Sequence, residues 1–374
     1  MEVLNRRSCL IGLALVTSLA ASAAWGQSGK PVEIGVIFPL KNIIGKQGMQ
    51  GASLAAEFID ADGGTVGRRP IKLIAYDTNF SPVEGVAAVQ RLLTQDDVKV
   101  IVGEISSTIA LAAIPIAKSE DALLMLAVPK HPDVTKSDYG GVFRLNTTTA
   151  MDAASFNKYL TQDVASNGIA VLVENNDVGR LSLDNMKSLF GAKLVYSDIF
   201  GVTQSDFSVI ASNVRGSGAD LVCVVASNPE QSGNLFKSMA DLNYKPKRCL
   251  LPGFLNSDVP KVAGPAAEGV FSEDIYAPSI DTPLNKRFVD AYKVKYKETP
   301  SKVELLGFES VWIVAQAMKA AGTATDTKKI AETLRSNEWE SPRGKLRFDG
   351  VGQAASDNLY RVEVRGGQVV QSAR

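Results

Sequence analysis

Short runs rich in aliphatic and β-branched residues alternate with amphipathic helical segments along most of the chain, and that alternation confines the fold to the α/β class with parallel sheets. One series of runs covers Val32–Phe38, 71–76, 98–102 and 123–127; a second covers 169–173, 194–196, Leu221–Val225 and 249–251. Most are apolar throughout, as strands buried on both faces are. Between them Met49, Ala52, Ala56 and Ile59 recur at three- and four-residue spacing ahead of Gly63-Gly64, and Val86, Val89 and Leu93 repeat the pattern. Two series of strand–helix units predict two similar lobes, with no low-complexity linker between them.

The last third breaks the rhythm. Residues 284–296 and 303–321 predict long helices, 328–335 a shorter one, and 345–348 and 359–364 late strands with Gly366-Gly367 as the turn of a final hairpin. Such elements complete both lobes instead of forming a third, so the chain crosses between lobes several times. Several short crossing segments share the bending of a hinge.

Residues 1–26 predict a cleaved export signal: Arg6-Arg7, an apolar run over 9–24 too short to span a bilayer comfortably, then Ala21-Ser22-Ala23 and Ala24-Trp25-Gly26 as small-residue cleavage patterns. The paired arginines fit a twin-arginine signal, but Cys9-Leu10-Ile11 departs from its usual continuation, and an ordinary secretory signal fits equally. Cys9 precedes the apolar run, so it is not placed as a lipoprotein anchor. No later stretch is apolar enough to span a membrane, and the mature chain is expected in the periplasm. Forty Lys and Arg balance forty Asp and Glu, which leaves no basic stripe for nucleic acid or anionic lipid. Beyond the signal stand Cys223 and Cys249. An oxidising compartment would permit a disulfide. Cys223, however, lies in the apolar run Leu221–Val225, where cysteine behaves as a small buried hydrophobe, and the expectation is two unpaired thiols.

A reactive constellation is missing. His131 is the only histidine, which precludes histidine-rich metal sites, and a single histidine is most often structural. There is no Gly-x-Ser-x-Gly elbow and no phosphate-binding loop ending in Gly-Lys-Ser/Thr. The first strand-to-helix turn, from Pro39 to Gly45, lacks the glycine spacing that admits a dinucleotide. No catalytic residue, cofactor or metal is expected. What remains is Gly103-Glu104-Ile105-Ser106-Ser107-Thr108, which follows a strand and opens a helical run. Hydroxyl residues there cap free N–H groups; the same place suits capture of a carboxylate, because free N–H groups and the helix dipole both favour an anion.

Over nearly all of its mature length the chain resembles the branched-chain amino-acid-binding protein family, the type I periplasmic solute-binding proteins of ABC importers. The resemblance is carried by Ile34-Gly35-Val36-Ile37-Phe38-Pro39-Leu40, Gly48-Met49-Gln50-Gly51-Ala52, Ile59-Asp60-Ala61-Asp62-Gly63-Gly64, Gly67-Arg68-Arg69-Pro70-Ile71-Lys72-Leu73 and Tyr76-Asp77-Thr78. It continues through Val102-Gly103-Glu104-Ile105-Ser106-Ser107, Pro132-Asp133-Val134-Thr135, Val142-Phe143-Arg144 and Asp177-Val178-Gly179-Arg180. It implies two doubly wound parallel-sheet lobes joined by three crossovers near 145–148, 273–277 and 343–348. The N-terminal lobe would then hold 27–146 plus 277–342, and the C-terminal lobe 147–276 plus 343–374. It also implies a ligand in the cleft, permease subunits of an ABC importer as partners, a monomer, and no enzymatic activity.

Site positions follow from the resemblance one at a time. Ser107, with Ser106, matches the serine loop that holds the ligand carboxylate. Val128, Pro129 and Lys130 fall on the next strand-end loop, with Lys130 at a position where family members usually carry threonine. Gln47 stands where an aromatic residue often covers the ligand, and Val178 replaces a frequent tyrosine. Asn228 lies in a region that often brings another tyrosine. Phe254, or its neighbour Leu255, occupies the loop that supplies a carboxylate to the ammonium of amino-acid ligands. An unpaired charge in a closed cleft costs on the order of 3–5 kcal/mol. Loss of that acid and gain of Lys130 therefore lead to the expectation of a small organic carboxylate, aromatic or short aliphatic, without an α-ammonium group. The alternatives are an aliphatic amino acid held by another acid such as Glu174 or Asp258, and a sensory ligand-binding subunit of the same fold.

Overall fold

Strands without a polar side to turn toward water need cover on both faces, and here helices supply it. The computed structural model describes residues 29–355 and 359–372; the expected export signal over 1–26 lies outside the described residues. The first lobe opens with β1 (Val32–Phe38), α1 (Ile43–Ala61), β2 (Ile71–Asp77), α2 (Pro82–Thr94), β3 (Val100–Gly103), α3 (Ser107–Ser119), β4 (Leu123–Leu126) and β5 (Val142–Arg144). Its five strands are all parallel, in the order β2-β1-β3-β4-β5. The second lobe follows with α4 (Thr149–Gln162), β6 (Ile169–Glu174), α5 (Asp177–Phe190), β7 (Leu194–Phe200), α6 (Ser208–Gly216) and β8 (Leu221–Val225). It continues with α7 (Pro229–Asp241), β9 (Lys247–Leu250), α8 (Asp258–Ala263) and β10 (Phe271–Asp274). The chain returns to the first lobe for α9 (Pro283–Tyr296), α10 (Lys302–Ala321), α11 (Thr327–Ser336) and the hairpin of β11 (Trp339–Ser341) and β12 (Gly344–Leu346). It ends in β13 (Tyr360–Arg365) and β14 (Gln368–Gln371). These last two strands extend the second sheet antiparallel, giving the order β14-β13-β10-β9-β8-β6-β7.

The two-residue period of a strand divides each sheet's side chains between two cores. In the first lobe Val36, Phe38, Val102 and Met125 pack with α1 and α10, while their neighbours Ile37, Ile101 and Leu124 pack with α2 and α3. In the second, Leu172, Val222 and Val224 face one core, and Val171, Val173, Cys223 and Cys249 the other. Both lobes are thus doubly wound. Strands β5 and β10 escape sequence reading because Val142-Phe143-Arg144 and Phe271-Ser272-Glu273-Asp274 are short and carry polar residues, unlike the all-apolar runs of β3 and β4.

Three segments join the lobes. Leu145 still packs in the first core, whereas Phe156 of α4 packs in the second lobe. Strand β10 belongs to the second sheet, and Ile275 and Tyr276 right after it to the first core. Leu346, Phe348 and Ala354 are all in the first core, while Tyr360 is in the second sheet. The third passage therefore comes after Ala354, later than the expected 343–348, and the first lobe extends beyond 342. Specific contacts hold that stretch back. Phe348 meets Phe143 edge-on at 5.2 Å, Arg144 N donates to Gly352 O at 2.9 Å, and Arg144 Nε donates to Gln353 Oε1 at 2.6 Å. Arg343 grips Glu309 through two bonds of 2.9 Å and reaches Leu145 O at 2.8 Å.

Helices α1 and α10 cross with backbones nearly touching. A Cβ on Gly51 would stand 1.9 Å from Glu304 O, and one on Gly307 would stand 2.1 Å from Gly48 O. Phe58 and Phe308 seal the flank edge-on at 5.4 Å. Backbone cannot step aside as a side chain can, so Gly51→Ala should destabilise the protein by about 1–3 kcal/mol. Gly216, with nothing within 4 Å of a Cβ, is the control: Gly216→Ala should be neutral or stabilise by up to about 1 kcal/mol. Urea unfolding midpoints of the two variants measure the difference.

Candidate functional site

In a sheet of order 2-1-3-4-5 the helices leave β1 and β3 toward opposite faces, which opens a crevice beyond the carboxyl ends of those strands. The second sheet repeats this between β6 and β8. The residues that leave those four strand ends face each other across the cleft.

In the first lobe the exit from β3 is built on a kink. Gly103 has φ 114°, and a Cβ there would lie 2.4 Å from Ile37 O. Glu104 follows at φ 67°, fully buried, and its Oε1 accepts hydrogen bonds from Ile105 N and Ser106 N, both 2.8 Å. This turn aims the N-terminus of α3 into the cleft. Ser106 caps it, with its Oγ accepting from Ile109 N at 3.4 Å. Ser107 Oγ accepts from Lys130 N at 2.9 Å and His131 N at 3.1 Å, which ties the loop after β4 to α3. With both acceptor positions filled, the Ser107 hydroxyl proton is left to donate. The N–H groups of Ser107 and Thr108 find no acceptor among the described residues, as expected at a helix start.

The second lobe presents Asn176 and Ser227. Both are held from behind by Glu174, a buried carboxylate that accepts from Asn176 Nδ2 at 2.7 Å and Ser227 N at 2.9 Å. Burial pushes its carboxyl above the usual range, against the pull of those hydrogen bonds.

Buried charges complete the cleft, and each has a partner. Lys130 Nζ forms an ion pair with Asp152 of α4 and donates to Thr147 Oγ1 at 3.3 Å. Lys302, the first residue of α10, donates to Gly253 O and stands 3.7 Å from Asp274 at the end of β10. Burial pushes the Lys302 ammonium down to about 8 and the Asp274 carboxyl up; Lys302 and then Lys130 oppose the latter. Asp258, also buried, takes a hydrogen bond from Gln47 and an ion pair from Lys261 at 2.9 Å. Thr108 Oγ1 donates to Asp177 Oδ2 at 2.7 Å, and Lys261 pairs with Glu298 at 2.8 Å. Most of these bonds join one lobe to the other, so the lobes are closed on each other. The space between them amounts to about 650 Å³, part of it open to solvent.

Of the positions singled out from the sequence, Ser106, Ser107, Val128, Lys130, Val178 and Phe254 line this cleft. Pro129 is buried between two of them without lining it. Gln47 sits against Asp258. Asn228 is the N-cap of α7, its Oδ1 accepting from Glu230 N at 3.0 Å. His131 caps a short helical turn, with Nδ1 accepting from Asp133 N at 3.2 Å. Thr108, from the same loop, lines it too, whereas Asn176, Ser227, Asp274 and Lys302 do so without having been singled out from the sequence. Lys302 carried a signal: a cation at the first position of a helix opposes the dipole and so implies a partner elsewhere. Asp274 carried none, because β10 itself was not recognised. Among the described residues no group of three or more His, Cys, Asp or Glu side chains is placed to hold a metal ion. None of the described helices is long and apolar enough to cross a membrane.

Residues 31–368 match the sequence profile of the periplasmic binding protein family. The leucine-, isoleucine-, valine-, threonine- and alanine-binding protein of Pseudomonas aeruginosa is 27% identical over 341 residues, 90% of each chain. Among solved structures, the branched-chain amino acid transporter substrate-binding protein of Streptococcus pneumoniae in complex with isoleucine superposes with a TM-score of 0.83 at 20% identity, covering 91% of this chain and 97% of that one. A solute-binding protein of an ABC transporter from Rhodopseudomonas palustris in complex with 3,4-dihydroxybenzoic acid gives 0.81 at 24% identity, covering 92% and 96%. Both superpositions report the fold.

Burial pushes the Glu104 carboxyl up to about 7 from its ordinary 4.5, against the hydrogen bonds from Ser106 and Ile105. A value raised on folding contributes stability that is fully present below pH about 4.5 and is lost as pH rises through about 7. The loss should approach about 3 kcal/mol above pH 7. Glu104→Gln keeps an oxygen for both N–H donors and removes the titration. Unfolding free energies measured from pH 4.5 to 8 should therefore decline more steeply for the wild type than for this variant; parallel curves would mean that Glu104 stays ionised.

Proposed function

The chain belongs to the periplasmic binding protein family, and from that premise we propose that it is the exported solute-binding protein of an ABC importer, closing its two lobes on a small organic carboxylate without an α-ammonium group. Relatives of this chain are solute-binding proteins, not enzymes. Periplasmic location, a monomeric state and delivery to permease subunits belong to the same reading.

The observation that carries the ligand class is the pairing of charges in the cleft. Asp274 lines the space and faces Lys302; behind the wall Asp152 faces Lys130, Asp258 faces Gln47 and Lys261, and Glu174 holds Asn176 and Ser227. An ammonium entering this space would have to displace a protein cation or remain unpaired, at a penalty of several kcal/mol. A carboxylate meets the opposite situation at the start of α3, with the Ser107 hydroxyl proton, two N–H groups and the positive end of a helix dipole. Ile44, Ile105, Val128, Val178, Phe254 and Val303 wall the remainder and suit an aromatic or short aliphatic body. Lys130 serves closure in this account: its ammonium faces Asp152 and Thr147, not the serine loop.

A second reading has its own observation. Asp274 lines the cleft with its carboxyl pushed up by burial, and an aliphatic amino acid could place its ammonium there if Lys302 moved aside. Glu174 and Asp258, the acids first considered for that role, do not line the cleft.

Titration calorimetry with matched pairs separates the readings. Phenylpyruvate should bind at least tenfold more tightly than phenylalanine, and 2-oxoisocaproate more tightly than leucine; the reverse order would establish the amino-acid reading. For any acid that binds, Ser107→Ala should weaken it by about 1.5–3 kcal/mol, the usual worth of a hydrogen bond to a charged group.

A further inference from the structure

Cys223 lies in the middle of β8 and Cys249 in β9, both fully buried, and the parallel register sets them directly opposite each other. Opposed side chains on adjacent strands leave the sheet on the same face, here into the core formed with Phe156, Leu160, Leu183 and Met186. The two Sγ atoms stand 2.8 Å apart, inside the roughly 3.5–4.0 Å at which unbonded heavy atoms settle. Neighbouring strands run about 4.7–4.9 Å apart, within the Cα separations of about 4.4–6.8 Å that a disulfide bridges. Among the described residues neither sulfur has a polar partner other than the opposite sulfur. Both cysteines are free thiols in this structure, as the apolar run around Cys223 leads one to expect.

We propose that Cys223 and Cys249 are joined by a disulfide in the exported protein, a covalent rung that braces two central strands of the second lobe. The proposal rests on the export reading above, since only an oxidising compartment sustains such a bond. The oxidant is a disulfide of that compartment, protein or small molecule. A Cys thiolate attacks it to form a mixed disulfide and expels one thiolate. The second Cys thiolate then attacks the mixed disulfide and expels the other. One S–S bond forms and one breaks; two electrons and the two cysteine protons pass to the leaving thiols. Exchange needs a thiolate within reach of the oxidant, and here both sulfurs are fully buried. Burial also pushes the Cys249 thiol well above its ordinary value. The bond therefore forms on the folding chain, before the core closes over it, and afterwards resists reductants. Only 25 residues separate the two cysteines in sequence, so the loop it closes is short enough to form early.

The test is made on the full chain expressed with its own leader. The periplasmic fraction is denatured in an excess of alkylating agent, with and without prior reduction, and the intact mass is read. No label without reduction and two labels after it are expected; two labels without reduction would overturn the proposal. A chain recovered only in the cytoplasm would instead overturn the export reading. The disulfide is then tested by refolding the reduced chain in a glutathione redox buffer, where it should form and where two free thiols would refute it. Protein unfolded and refolded in reductant should melt roughly 3–5 °C below the oxidised form, as should Cys223→Ala/Cys249→Ala with or without reductant. Equal melting temperatures would refute the bracing role.

Discussion

The site depends on a sharp turn of backbone at Gly103–Glu104. Two consecutive residues with positive φ redirect the chain from β3 into α3 within a space that Ile37 O closes to any side chain at Gly103. Glu104 sustains the turn by holding the next two N–H groups on one buried carboxylate oxygen. Residues at positive φ other than glycine carry a conformational cost of order 1–3 kcal/mol, and strain of this kind persists where surrounding bonds over-determine it. Without the turn α3 would not point its free N–H groups into the cleft, and Ser107 would not reach the loop after β4. The proposed carboxylate site is thus a property of backbone path first and of side-chain identity second.

Around that anchor, charges are arranged in cross-cleft pairs. A buried ion is tolerable when a counter-ion and hydrogen bonds replace its water, and removing one partner costs far more than the pair contributes. Opening the lobes would separate Lys130 from Asp152, Lys302 from Gly253 O and Thr108 from Asp177, and return each group to solvent. Because hydration offsets most of the loss, such pairs fix the geometry of the closed form while leaving the open form within a few kcal/mol. Under the proposed function a carboxylate ligand would tip the balance by satisfying the donors at the start of α3. The approaches to the hinge are firmer: Arg343, paired with Glu309, holds Leu145 O before the first crossing, and Arg144 holds Gln353 before the third, so bending is confined to what lies beyond them.

The two-lobed architecture was legible because its strands are buried on both faces and most of its helices start at side-chain caps, both of which leave local patterns. The resemblance to a family supplied the serine loop and the loop after β4. What stayed hidden was long-range. The pairing of Lys130 with Asp152 and of Lys302 with Asp274 joins residues far apart in sequence, and only the closed tertiary arrangement brings them together. Asn228, expected beside the ligand, caps α7 in this structure, and an asparagine after a strand serves either purpose. The late third crossing was missed because Phe348 and Gln353 are drawn back to the first lobe by partners in β5, which no local pattern announces.

The most direct measurement is a crystal structure of the protein with a bound aryl or aliphatic carboxylate. The account predicts the carboxylate oxygens within about 3 Å of Ser107 Oγ and the Thr108 N–H, with Lys130 still facing Asp152 and Lys302 still facing Asp274. A carboxylate lodged on Lys302 or Lys130, or an amino group of a bound amino acid seated on Asp274, would contradict it.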